Sequence, residues 1–504
     1  MRRRLLRALA VLSVMGLAVA PAQTSLEGWQ SLADGIAYRT FIFPGPVRAY
    51  VARLDRAVAS ATIDTMFPLA GPPPRFTETV SQMASRYHDA VNTWDGTWGG
   101  RNRVVVAING GFFNAETGVP DGGQVQAGST RGWVGNPVGL VSFGWTMDRQ
   151  AHLGQCVYLP ADKQRLTHLS TGIVQPIDGL NFRPEGAQVV LYTPEYGAES
   201  PGDGRHLEVL IEMTRPALMI PPPRTVIGTV RAVHQGGGPY PIPFDHVVLS
   251  VSGPAREVML ENVGIDRRIG LSQEMVDLGP DCNGGGTRDW GKTYAGLGGG
   301  FPFLRDGEVY TTDQAGANIQ DPRTALCFND EAVYFVIVDG RQRSWSLGMT
   351  IEELGHFCRD TLGATWGINQ DGGGSSTMWV NGAVTNHPSD GSERPVANGM
   401  MMVSQEPAAL SSAYRPSDLV AVTQPAALRL GPGTNFGERA TLPVGIYGQI
   451  DQPLSGLNGV FAKGSYWWHV AFGRTIGWVS EEALAPLSGA PSPPPSDVWS
   501  SANP

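Results

Sequence analysis

Three apolar runs in this sequence end in a polar side chain that glycine follows at once. RVVVAIN stops at Asn109 before Gly110 and Gly111, and AVYFVIVD stops at Asp339 before Gly340. ATWGINQD stops at Asp371 before Gly372, Gly373 and Gly374, with Ser375, Ser376 and Thr377 next. A polar group at the end of a buried strand, with glycine clearing space beside it, is a common way to mount chemistry on a rigid frame. Asn-Gly and Asp-Gly are also ordinary turn signals, and each pair alone could be no more than that. Three glycines after a carboxylate exceed the needs of a turn. They let the backbone approach another group closely, and the residues that follow offer hydroxyls and N–H groups to it.

Other residues extend the set. Thr350-Ile351-Glu352-Glu353 is a capping box, so Glu353 reads first as a helix cap and second as a carboxylate facing a cleft. Arg323, in DPRTALCF, and Arg394, in GSERPVANG, become functional if the ligand is anionic, because a guanidinium grips phosphate oxygens in a bidentate way. GGGSST lacks the lysine of a P-loop, and Ser375 and Ser376 are outside a G-x-S-x-G context. A nucleoside triphosphatase and an α/β-hydrolase elbow are therefore excluded. No CxxC or His-rich spacing indicates zinc, and no cofactor is called for.

The elements that must hold these residues are mostly short apolar runs between glycine-rich turns. Strands are expected at Ile36–Phe43, Ala49–Leu54, Val104–Ile108, Ala187–Tyr192, His246–Val251 and Ala332–Val338. Helices are expected from about Phe76 to Asn92 and from Thr350 to Leu362, the second ended by Gly363. This mixture predicts an α+β main domain on a mixed sheet. A Pro-, Ala- and Ser-rich linker follows at 407–417, then a compact all-β unit at 418–486 and a disordered tail at 487–504.

The compartment is read from the first residues. Arg2, Arg3, Arg4 and Arg7 precede an apolar run from Ala8 to Ala20 and a small-x-small site at Ala20-Pro21-Ala22. That is the layout of a secretory signal peptide at 1–22. Residues 23–99 then read as N-terminal strands and a helix belonging to the main domain. The 504 residues carry a net charge of −9, which argues against nucleic acid as a partner. Cys156, Cys282, Cys327 and Cys358 allow three pairings in an exported chain, and spacing does not choose among them.

Taken in order, INGGFF (108–113), GGGFPFLRDG (298–307), RTAL (323–326), VDGR (338–341), GMTIEEL (348–354), INQDGGGSSTMWVNG and NHPSDGSERPVANGM resemble the phosphodiester glycosidase family. The likeness spans roughly residues 100–405, giving a glycosidase domain at 100–406, and Gln370 departs from it by standing where the family usually has an apolar residue. Residues 428–445 and 466–484 resemble a bacterial SH3 module, for which a cell-wall ligand stacked on Tyr466, Trp467 and Trp478 is one expectation and a structural role the other.

The resemblance implies an exported hydrolase that cleaves the glycosidic bond of a glycosyl phosphodiester, acting on exopolysaccharide or cell-envelope glycans. Asp371, Asp339 and Glu353 are then the catalytic carboxylates, with acid, base and nucleophile unassigned. Asn109, Arg323, Gly372, Gly373, Gly374, Ser375, Thr377 and Arg394 would bind the sugar phosphate. A non-catalytic glycan or cell-wall binder is the alternative, and cleavage of the P–O bond a third reading.

Overall fold

The computed structural model describes residues 28–68, 77–126, 128–132, 141–202, 204–216, 220, 222–236, 238–279, 282, 289–310 and 314–487. The expected signal peptide and tail lie outside them, apart from Leu487. Strands make up 45% of the chain and helices 10%. The expected α+β, mixed-sheet domain is therefore corrected to a nearly all-β one, with three short helices among the described residues. Among the described residues every strand pairing bar one, Gly179–Leu180 with Val189–Tyr192, is antiparallel.

The reason lies in how the strands are covered. Apolar runs with both faces buried usually signal a sheet flanked by helices. In the strand Val47–Asp55, Tyr50, Ala52 and Leu54 enter one core while Val47, Ala49 and Val51 enter another. The strand Ala332–Val338 divides the same way, Phe335 and Ile337 to the first core and Val336 and Val338 to the second. The first core is closed by a second sheet through Val106, Ile108, Met400 and Met402, so a sheet does the covering that helices were expected to do. The second core is closed in part by the six-residue helix Ile351–His356.

A wide twelve-stranded sheet therefore faces a five-stranded one. The wide sheet includes Val47–Asp55, Ala332–Val338, Arg323–Phe328, Trp366–Asn369 and Thr293–Arg305; the smaller one is centred on Arg101–Asn109 and Gly399–Glu406. Residues 165–272 contribute a separate eight-stranded sheet with its own core, and residues 419–486 another.

The helix expected over 76–92 runs only from Val80 to Tyr87, capped by Thr79 with Gln82 in a capping box. The helix expected over 350–362 starts as read but passes into a π-turn at Phe357–Thr361, and Gly363 ends it at φ +70°. Cys156 is bonded to Cys282 and Cys327 to Cys358, which selects one of the three pairings left open.

The C-terminal sheet is packed on the rest of the chain. Trp478 meets Phe244 at 5.5 Å, and Lys463 Nζ donates to the carbonyls of Ser85 at 2.9 Å and His88 at 2.7 Å. Within the 407–417 segment, Tyr414 is buried against Trp468, and its hydroxyl donates to Leu484 O. Trp467 and Trp478 are buried in the core that joins this sheet to Phe244, so their faces are not open for stacking on a ligand.

Candidate active site

The strand ends come together where the two facing sheets meet, and Asn109 pins them. It is 1% exposed, and its Nδ2 donates to Asp371 O at 2.7 Å. Its Oδ1 accepts from Thr324 Oγ1 at 2.9 Å and from Thr377 N at 3.1 Å. The backbone adds a bond from Asp371 N to Gly110 O at 3.0 Å. One amide thus fixes both ends of the loop 371–377 against the five-stranded sheet, a positioning role and not a contact with ligand.

Asp371 is half-buried beside this pin. Burial pushes its carboxyl above the usual carboxylate range; the Ser375 hydroxyl and the Arg394 charge pull it down, and the Asp121 charge adds to the rise. A carboxylate held this way exchanges protons at a higher pH than a solvated one.

The three glycines do allow a close approach, and it is to the chain itself. A Cβ at Gly372 would lie 2.7 Å from Pro322 O, and one at Gly374 2.1 Å from Arg394 Nη2. At Gly373 (φ +60°) it would lie 3.1 Å from Arg341 Nη2. Glycine thus lets two guanidinium groups rest on the loop. Arg394 is held by Asp390, with Nη2 to Oδ2 at 2.7 Å, and reaches Ser375 Oγ at 3.5 Å. Arg341 forms a two-pronged pair with Asp321, Nε to Oδ1 at 2.7 Å and Nη2 to Oδ2 at 2.8 Å, and is half exposed. Its backbone sits in the left-handed region at φ +60°, a costly conformation for a non-glycine residue and a frequent one at functional sites.

Other expectations need correction. Arg323 is buried, and its guanidinium donates to Met349 O (2.8 Å), Gly316 O (2.8 Å) and Ile319 O (2.6 Å). It braces the backbone ahead of the helix and is not placed to grip a phosphate. Glu353 is exposed and completes the capping box, accepting from Thr350 N at 2.8 Å. Its remaining partner is Gln320 Nε2 at 3.3 Å, so it serves the helix start. Ser375 and Thr377 are fully buried, which turns those hydroxyls inward and away from a ligand.

Asp339 is also buried, with four donors on its carboxylate: Tyr50 Oη at 3.0 Å, Trp345 Nε1 at 2.8 Å, Asn386 Nδ2 at 3.0 Å and His387 N at 3.1 Å. Asn386 in turn donates to Ser376 O at 3.0 Å and accepts from Met378 N at 2.7 Å. Asp339 therefore organises the far end of the same loop from within.

Sequence reasoning did not single out Arg341, Thr324, Asn386 or Trp345. Three of them stand inside motifs quoted above: Arg341 in VDGR, Thr324 in RTAL and Asn386 in NHPSDGSERPVANGM. An arginine after a buried Asp-Gly strand end was the available signal for Arg341. Among the described residues there is no cluster of three or more His, Cys, Asp or Glu side chains placed to hold a metal ion.

Fold and site define a nearly all-β protein that presents one half-buried carboxylate and two anchored guanidinium groups at the meeting of two sheets. Residues 267–403, about a quarter of the chain, match the family model of the phosphodiester glycosidases. The match covers six of the seven motifs, INGGFF lying before it. No curated protein matches the chain.

Solved structures with similarity include a hypothetical protein from Synechocystis, 16% identical at a TM-score of 0.45, covering 74% of this chain and 62% of that one. The chain thus spans less than two thirds of that protein's length. A protein of Burkholderia pseudomallei K96243 named as exported is 20% identical at a TM-score of 0.43, covering 71% and 74%. The zebrafish N-acetylglucosamine-1-phosphodiester alpha-N-acetylglucosaminidase catalytic domain, auto-inhibited by its pro-peptide, is 14% identical at 0.33, covering 73% and 81%.

Proposed function

We propose that the protein is an exported hydrolase that cleaves the bond between a sugar and the phosphate of a glycosyl phosphodiester. The observation that carries this is Asp371, a carboxyl whose proton affinity is raised by burial, with Arg394 beside it and Arg341 on the same glycine loop. The leaving group in this reaction is a phosphate monoester, which departs with little protonation and needs charge neutralisation. Arg394 and Arg341 supply that. Asp371 takes the proton of the attacking water as its oxygen bonds to the anomeric carbon, and the electrons of the broken C–O bond leave with the phosphate. Export is supported by the basic and apolar N-terminal layout and by the two disulfides.

The test is hydrolysis of a panel of glycosyl phosphodiesters in ¹⁸O-labelled water. Label in the released sugar supports the reading. Label in phosphate means that the P–O bond breaks, and no turnover on any member favours a binder.

A further inference from the structure

A second site lies away from the glycine loop. A cavity of about 260 Å³ opens where the paired main sheets, the eight-stranded sheet of residues 165–272 and the C-terminal sheet meet. Asp64, Gln126 and Tyr294 line it from the main sheets, Glu195 and Phe244 from the middle region, and Asn435 from the C-terminal sheet. None of Asn109, Arg341, Asp371 or Arg394 borders it. Its depth is formed by buried groups such as Asp64, Gln126 and Tyr294, and its rim by half-buried Trp98, Glu195 and Asn435 with exposed Ala198 and Gly437. The opening therefore faces solvent between the loop at 193–198 and the turn at 431–437.

The lining mixes two kinds of surface. Half-buried Trp98 offers an apolar face, fixed by its edge-to-face packing on buried Phe244 at 5.5 Å. Carboxylates and amides already held in place line the cavity as well. Thr193 Oγ1 donates to Glu195 Oε2 at 2.5 Å, and Tyr87 Oη donates to Gln126 Oε1 at 3.0 Å. Asn435, half-buried, adds an amide to the rim. Aromatic faces set against fixed acceptors are what a sugar ring requires, since its C–H faces are apolar and its rim is hydroxyl.

Size and charge narrow the class. At about 30 Å³ of liquid per water, the volume holds roughly nine waters, enough for one sugar ring and too little for an oligosaccharide. Asp64, Glu195 and Asp245 bring three carboxylates to the lining. The lining arginine is engaged: Arg86 pairs with Glu78, and His246 Nδ1 lies 2.7 Å from Asp245 Oδ1. An anionic ligand would meet repulsion. We infer that this cavity is a second carbohydrate site, distinct from the glycine loop, that binds a neutral monosaccharide unit. The inference stands on the cavity alone and does not need the hydrolase reading.

The experiment is calorimetric titration of the full chain with glucose, galactose and N-acetylglucosamine, with glucuronate as the anionic control. At least one neutral sugar should bind in the millimolar range and glucuronate should not. Glu195→Gln, and separately Asn435→Ala, should weaken that binding about tenfold, the effect of losing one charge-assisted or buried hydrogen bond. Asp371→Asn should leave it unchanged. Both cavity side chains are half-buried, and a native circular dichroism spectrum confirms that each variant folds. Three results overturn the inference: no neutral sugar binding up to tens of millimolar, equal binding of glucuronate, or binding lost in Asp371→Asn and kept in both cavity variants.

Discussion

Asn109→Ala tests whether one amide holds the active loop. The substitution removes three buried hydrogen bonds, those to Asp371 O, from Thr324 Oγ1 and from Thr377 N. Asn109 is 1% exposed, so water does not replace them without rearrangement. At about 1 kcal/mol net for each bond, with more where a buried partner is left unsatisfied, the loss is about 3–5 kcal/mol. The chain has several cores and is not expected to unfold in one step, so a single global stability is a poor readout. Hydrogen exchange at the amides of 371–377 reads the local opening directly. A loss of 3–5 kcal/mol should speed exchange there by roughly a hundredfold to several thousandfold, leaving residues 419–486 unchanged. Turnover should fall with it, because a loop displaced by an ångström misplaces Asp371. Exchange in 371–377 within threefold of wild type would refute the pin, whatever happened to activity.

Asp371→Asn should lower turnover by a factor of ~10² or more, measured on whichever phosphodiester the panel identifies. It should not lower stability. Because the folded-state carboxyl value is raised, ionisation costs more in the folded chain than in the unfolded one. That penalty is present above the folded value and absent below the unfolded one of about 3.9, so the variant's thermal midpoint should match or exceed wild type at neutral pH and converge on it in acid. Arg341→Ala should raise KM for a phosphodiester substrate at least tenfold and leave the melting temperature nearly unchanged, since its pair with Asp321 is half exposed. Arg323→Lys should behave oppositely, loosening residues 316–319 locally by about 2–4 kcal/mol through lost bonds to three carbonyls, read as faster hydrogen exchange there, with ligand affinity per folded molecule preserved. Truncation near Ser411 should give an aggregation-prone protein by light scattering, because removing Trp478 and Leu457 uncovers Phe244 and Trp98.

What the sequence determined by itself was local. Ile36–Phe43, His246–Val251 and Ala332–Val338 were legible as strands to the residue, because β-branched and aromatic runs between glycine-rich turns carry that signal in a short window. The capping box of Glu353 and the terminator Gly363 were equally local. The glycines at 372–374 announced a close approach, and Asp371 was readable as the carboxylate beside it. What covers each strand was not legible. A run buried on both faces reads the same under a helix as under a second sheet, and the partner that decides is far away in sequence: Tyr50 and Met400 enter one core across 350 positions. The roles within the site were decided in the same way. Arg323 and Arg341 are both arginines beside strands, and no local pattern tells them apart. Only the tertiary structure turns the first toward carbonyls of its own chain and lays the second on a glycine loop, because a side chain's partners are set by long-range packing.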